Sequence, residues 1–235
     1  MGKKEKQFSL TSKKNCCIYL MRIISSCELG MDKLKDYNKQ LKKQVESYRG
    51  AKLVPWKLYG EMTDKSYNVI GYLVNLLGDS QASSISYFKY RSYIKKQVDR
   101  GNNDIPLYIA SEKMEELLKE FNKKRNWLNH VPESLLVAEM SEVDSGNMEF
   151  SMDPVEIVHY NHVTFEKFEH LYLSNVEFYE DARSLIQVAK REYSMLMGKT
   201  VKYPRTYTNK PDGMERTRAV IKSAKIQGIK SSDGK

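Results

Sequence analysis

The stretch KKRNWLNHVPES, residues 123–134, brings Arg125, Asn126, Trp127 and His130 together at the end of a long helical segment. An arginine and a histidine at this spacing suit the chemistry of RNA cleavage. A histidine that titrates near neutrality takes or gives a proton as general base or acid. A guanidinium holds a phosphate with a planar fork and stabilises the charge that develops on it. RNA supplies the nucleophile itself, since its 2′-hydroxyl can attack the neighbouring phosphate, and no metal is required. On an unbroken helix five residues turn about 500°, so Arg125 and His130 would point to different faces. They converge only if the helix ends between them. Pro132 disfavours helical geometry at Val131, which predicts a stop near His130 and a new start near Glu133. A histidine at a helix C-terminus also gains stabilisation of its charged form.

The elements that must position this stretch are helical. Apolar residues recur at three- and four-residue steps over most of the chain, and few segments alternate. An N-terminal helix is expected over 15–29, with Ile18, Met21 and Ile24 on its apolar face. A second runs from Met31, with Leu34, Tyr37, Leu41, Val45 and Tyr48 as its stripe and Gly50 as its stop. Pro55 breaks a connector. Thr63 or Asp64 can cap the next helix, whose stripe is Tyr67, Ile70, Val74 and Leu77. A further helix follows through ISYFKYRSYIKKQVDR, in which Tyr87, Tyr90 and Tyr93 read as core rather than as a base-stacking platform. The helix carrying the motif starts near Ser111, and Met114, Leu117, Leu118, Phe121 and Trp127 or Leu128 mark its apolar face. The last helix spans Thr164 to Met197 and is stopped by Gly198. No segment demands a strand. The expected fold is all-α: an up-and-down bundle of four to five long helices over 31–198, with an N-terminal helical extension at 1–30 and a disordered basic tail at 199–235.

Charge is concentrated at the two ends. Residues 1–14 carry five lysines against one glutamate, and residues 199–235 carry ten basic against three acidic side chains, so of the net +9 the body between them holds −2. Basic ends bind polyanions by releasing counterions. In the tail, Lys199, Lys202, Arg205, Arg216, Arg218, Lys222 and Lys225 are candidate RNA contacts; a merely solubilising tail is the alternative. The three cysteines, Cys16, Cys17 and Cys27, fall within twelve residues. That is no disulfide framework, and it points to a reducing cytoplasm. The apolar run around them is interrupted by Arg22 and is too short to span a bilayer.

Other constellations are weaker. His162, Glu166 and His170 lie four residues apart, yet Thr164 reads as a helix cap that leaves His162 outside the regular turn. No metal or other cofactor is expected there. His159 can line the same cleft as His130. Asp181 and Arg183 read as a surface pair. No glycine-rich phosphate loop and no flanked Ser or Cys nucleophile is present.

The residues R-N-W-L-N-H resemble the signature of the HEPN superfamily, an arginine followed four to six residues later by a histidine, with a polar residue directly after the arginine. The resemblance rests on these six residues, and Pro132 is not part of the pattern. It implies a four- to five-helix bundle that dimerises, so that Arg125 and His130 of two protomers meet in one cleft. It further implies a metal-independent endoribonuclease, of a toxin or abortive-infection (anti-phage) kind, with RNA as substrate and an antitoxin or regulator as a partner. Arg125 and His130 would be catalytic. Asn126 would support the cleft, and Trp127 would pack the helix or stack on a base. The alternative is a non-catalytic helical module that binds nucleic acid or protein through its basic ends.

Overall fold

The computed structural model describes residues 8–81, 84–102, 105–129, 137, 140–141, 143–146 and 161–201. Five long helices and one two-stranded sheet make up these residues: α1 (Lys13–Ser47), β1 (Leu53–Pro55), α2 (Trp56–Gly78), α3 (Tyr87–Asp99), α4 (Glu112–Asn129), β2 (His162–Thr164) and α5 (Phe165–Met197). The expected all-α bundle is therefore present, with a minimal sheet added to it.

Helix α1 is one unbroken element of 35 residues, where two helices were expected on either side of residue 30. Gly30 does not break it; the missing side chain makes room for α2, since a Cβ there would come 2.7 Å from Leu73 Cδ2. Ser12 caps its start, accepting from the Asn15 N–H at 3.2 Å. The predicted N-terminal face needs correcting. Ile24 is buried, but Ile18 and Met21 are 42% and 50% exposed. The core side is formed by Cys16, Tyr19, Leu20, Ile23 and Cys27, and continues through Met31, Leu34, Leu41 and Val45. Downstream of residue 30 the predicted stripe holds at Leu34, Leu41 and Val45, with Tyr37 and Tyr48 half-buried.

Helix α2 begins at Trp56, well before the predicted caps Thr63 and Asp64. Pro55 sits just ahead of it with φ −57°, and a proline's missing N–H costs nothing there. The Thr63 hydroxyl instead donates back to the Tyr59 carbonyl at 2.8 Å, within the helix. The connector on its N-terminal side is a strand: β1 pairs antiparallel with β2, with Val54 opposite Val163 and Pro55 opposite His162. Three residues are too few for alternation to register in a sequence. The sheet closes a small apolar cluster of Leu41, Val45, Val54, Met62, Val163, Phe168 and Leu171. The main core joins α1, α2, α3, α4 and α5, with Tyr87, Tyr90 and Phe121 fully buried in it. Burying each such large side chain contributes roughly 1.5–3 kcal/mol. Thr164 and Gly198 bound α5 as predicted; Gly198 takes the left-handed conformation at φ 69°.

At Gly78 the backbones of α2 and α4 come into direct contact. A Cβ there would land on the backbone carbonyl of Phe121 and 2.8 Å from the Asn122 nitrogen. Backbone cannot move aside as a flexible side chain does. Gly78→Ala should therefore push the helices apart and cost roughly 1–3 kcal/mol, the usual range for overpacking. Chemical denaturation measures this directly, and an unchanged midpoint would contradict the packing described.

Candidate functional site

Arg125 lies on the core-facing side of α4. Leu117, Leu118 and Phe121 are buried on that side, and Arg125 follows Phe121 by four residues, so helical periodicity turns it inward too. It is 7% exposed. A buried guanidinium needs a counter-charge, and Asp79 provides it: the Arg125 Nε is 3.3 Å from Asp79 Oδ1. Asp79 is the C-cap of α2, immediately after the Gly78 contact. The side chain of Asn122 reinforces the junction by donating to the Gly78 carbonyl at 2.6 Å.

Asp79 is itself held in place. Its Oδ1 accepts from the Gln81 N–H at 2.9 Å, and its carbonyl accepts from the Ser86 hydroxyl. Ser86 is the cap of α3, and its backbone N–H donates to the Tyr19 hydroxyl of α1 at 3.0 Å. The loop after α2 thus links α1 and α3 to the backbone of Asp79, whose carboxylate faces Arg125 of α4.

The guanidinium is oriented but not saturated. Its Nη1 donates to Asn126 Oδ1 at 3.3 Å. Its buried Nε, although close to Asp79, makes no aligned hydrogen bond among the described residues. The charge is paired with Asp79, and the one donor without an aligned partner, Nε, is itself buried against that carboxylate, so an anion's oxygen would have to be met by the terminal nitrogens.

The other predicted site residues stand as follows. Asn126 accepts from the neighbouring Arg125 through its Oδ1. Trp127 is within α4, but its side chain lies outside the described residues, as do His130 and His159. Lys199 follows the Gly198 cap and is exposed, its backbone N–H donating to the Ser194 carbonyl at 3.2 Å. Lys202, Arg205, Arg216, Arg218, Lys222 and Lys225 lie outside the described residues. His162 is exposed in β2, while His170 sits on α5 with its Nδ1 3.3 Å from the Ser174 hydroxyl. Among the described residues no group of three His, Cys, Asp or Glu side chains is placed to hold a metal ion. Arg183 pairs with Glu180 at 3.4 Å rather than with Asp181.

A second polar cluster was not anticipated. Arg91 of α3, 3% exposed, reaches Glu192 of α5, which is fully buried, at 3.2 Å. Arg91 also pairs with Glu115 of α4, which Lys95 contacts at 2.6 Å. The Tyr87 hydroxyl donates to Glu192 Oε2 at 2.8 Å. Burial pushes the Glu192 carboxyl above its ordinary value, with Arg91 and Tyr87 opposing the shift. Burial also raises Glu115, but Lys95 and Arg91 outweigh it and hold that carboxyl below the ordinary range. Burial likewise lifts the Cys16 thiol to about 11, so it is not a thiolate at neutral pH. The sequence did carry a signal for this cluster. Arg91 falls on the Tyr87–Ile94 stripe and Glu192 on the Ala189–Leu196 stripe, and a charge on an apolar stripe demands a buried partner.

Comparison with protein-family models, with curated proteins and with solved structures gives no match to this chain. Among the described residues no helix is long and apolar enough to cross a membrane.

Proposed function

We propose that this chain is a metal-independent endoribonuclease of HEPN type that acts as a homodimer. The observation that supports it is the setting of Arg125: a buried guanidinium near the C-terminal end of α4, steadied by Asp79 and Asn126. In this reading Arg125 grips the scissile phosphate. His130 takes the proton of the 2′-hydroxyl as its oxygen attacks phosphorus. The 5′-oxygen leaves with a proton drawn from solvent, to which His130 afterwards returns the one it took, and the products are a 2′,3′-cyclic phosphate and a 5′-hydroxyl. The basic tail adds salt-dependent affinity for RNA. The biological setting that follows is a toxin or an anti-phage abortive-infection effector, restrained by an antitoxin or regulator, in the cytoplasm.

The test is incubation of purified protein with total RNA and tRNA in excess EDTA, wild type beside His130→Ala. Discrete fragments ending in 2′,3′-cyclic phosphate, from wild type alone, are the expected result. Equal fragments from both proteins, or from neither, would count against the assignment.

One observation favours a second reading. The ion pair between Arg125 and the C-cap of α2 gives the arginine a structural task of its own. On that reading the chain is a non-catalytic helical module that holds nucleic acid or a protein partner through its basic ends. Deleting residues 199–235 would then abolish RNA retention, and His130→Ala would leave it unchanged.

A further inference from the structure

A cleft of about 510 Å³ opens between α2, α4 and α5, on residues that neither the motif nor the proposed reaction uses. Its size falls within the range of small-molecule sites. Two lysines line it, Lys124 from α4 and Lys167 from α5, with His170 of α5 beside them and a single acid, Glu177. Tyr67 and Phe178 contribute aromatic surface. Asn175 also lines it and is 3% exposed. Its carboxamide is fixed, because Nδ2 donates to the Ser66 hydroxyl at 2.8 Å and that hydroxyl donates to the Met62 carbonyl at 2.9 Å. The Asn175 Oδ1 accepts no hydrogen bond from the described residues. That oxygen is not sealed in the interior, so it stands as a fixed acceptor that a donor in the cleft can reach.

These features specify a ligand in two parts. One part is flat and aromatic with an N–H or O–H donor, to lie on the rings and satisfy Asn175. The other is a multiply charged anion within reach of the two lysines and the histidine. We propose that the cleft binds a phosphorylated nucleoside, with its base toward Asn175 and its phosphate toward Lys124 and Lys167. That chemistry has two sources, a free mononucleotide or one nucleotide of a single RNA strand. The proposal does not depend on RNA cleavage, because none of the cleft residues belongs to the Arg125–His130 pair.

Titration calorimetry of the full chain in EDTA tests it, with the four ribonucleoside 5′-monophosphates, a short single-stranded oligoribonucleotide, adenosine alone and inorganic phosphate alone. Saturable binding of a monophosphate or of the oligonucleotide is expected, with both half-ligands weaker. Lys124→Ala combined with Lys167→Ala should weaken binding by at least roughly tenfold at an unchanged melting temperature. A bound monophosphate identifies the free nucleotide as ligand, and a bound oligonucleotide without one identifies the strand. No saturable binding of either, binding indifferent to the two lysines, or phosphate alone binding as tightly would overturn the proposal. Repeating the titration with His130→Ala keeps a failed nuclease reading distinct from a failed cleft.

Discussion

His130→Ala should lower RNA cleavage by roughly 10²–10⁴-fold, the usual contribution of a positioned general acid or base, without moving the melting temperature. Arg125 calls for a different design, because removing it leaves the buried Asp79 carboxylate without its counter-charge. Arg125→Ala is expected to lose both stability and cleavage, and a double loss assigns no role. Arg125→Gln combined with Asp79→Asn separates the two. The Asn at 79 still offers an acceptor to the Gln81 N–H, and no uncompensated charge remains buried. Stability should return in the double variant. Cleavage should not, if the guanidinium grips phosphate. Single-turnover cleavage measured beside thermal melting gives both numbers. A double variant that cuts RNA as fast as wild type would reduce Arg125 to a strut between α2 and α4.

How much of this was legible beforehand follows from how local each feature is. Caps are local, and Thr164 and Gly198 marked the ends of α5 correctly. The stripe of α1 was read in two pieces that met at Gly30, whereas that glycine admits Leu73 of another helix, and no local pattern encodes that contact. The two strands escaped notice because a three-residue pair is defined by a partner more than a hundred residues away. The candidate site shows the same division. Arg125 was singled out by its spacing to His130. Its burial could have been read from its distance to Phe121, but Asp79 sits in a polar stretch, GDSQASS, that reads as loop. The spacing of apolar residues reveals which charges turn inward; only the fold reveals what meets them.

The largest stability effect should come from the pair that anchors the other end of α4. Glu115, in the first turn of α4, is held by Arg91 and Lys95 of α3, and Arg125, near its last turn, is held by Asp79 of α2. An acid at the start of a helix and a base near its end both favour the helix dipole, so α4 is fixed at each end by a contact of the appropriate sign. Arg91 also carries Glu192, which has no other cation within ion-pair distance among the described residues. Arg91→Met should therefore cost roughly 3–5 kcal/mol, mostly through the stranded Glu192 carboxylate. At about 2–4 °C per kcal/mol for a chain of this size, that lowers the melting temperature by roughly 6–20 °C. Adding Glu192→Leu to Arg91→Met should recover most of the loss, because an apolar pair of similar volume tolerates burial that a lone charge does not; Glu115 keeps Lys95 throughout. The pH response follows with a definite sign. Burial raises the Glu192 carboxyl in the folded chain, so the folded state holds that proton more tightly than the unfolded one. As pH rises from the ordinary glutamate value of 4.5 through the raised one, wild type loses stability that Glu192→Gln keeps. Glu115 runs the opposite way, its stabilisation being lost as pH falls below that ordinary value. The difference between wild type and Glu192→Gln, followed by melting from pH 4 to 7, isolates the Glu192 contribution because Glu115 is common to both. A difference that stays flat across that range would show that Arg91 and Tyr87 fully offset the burial of the Glu192 carboxylate in wild type.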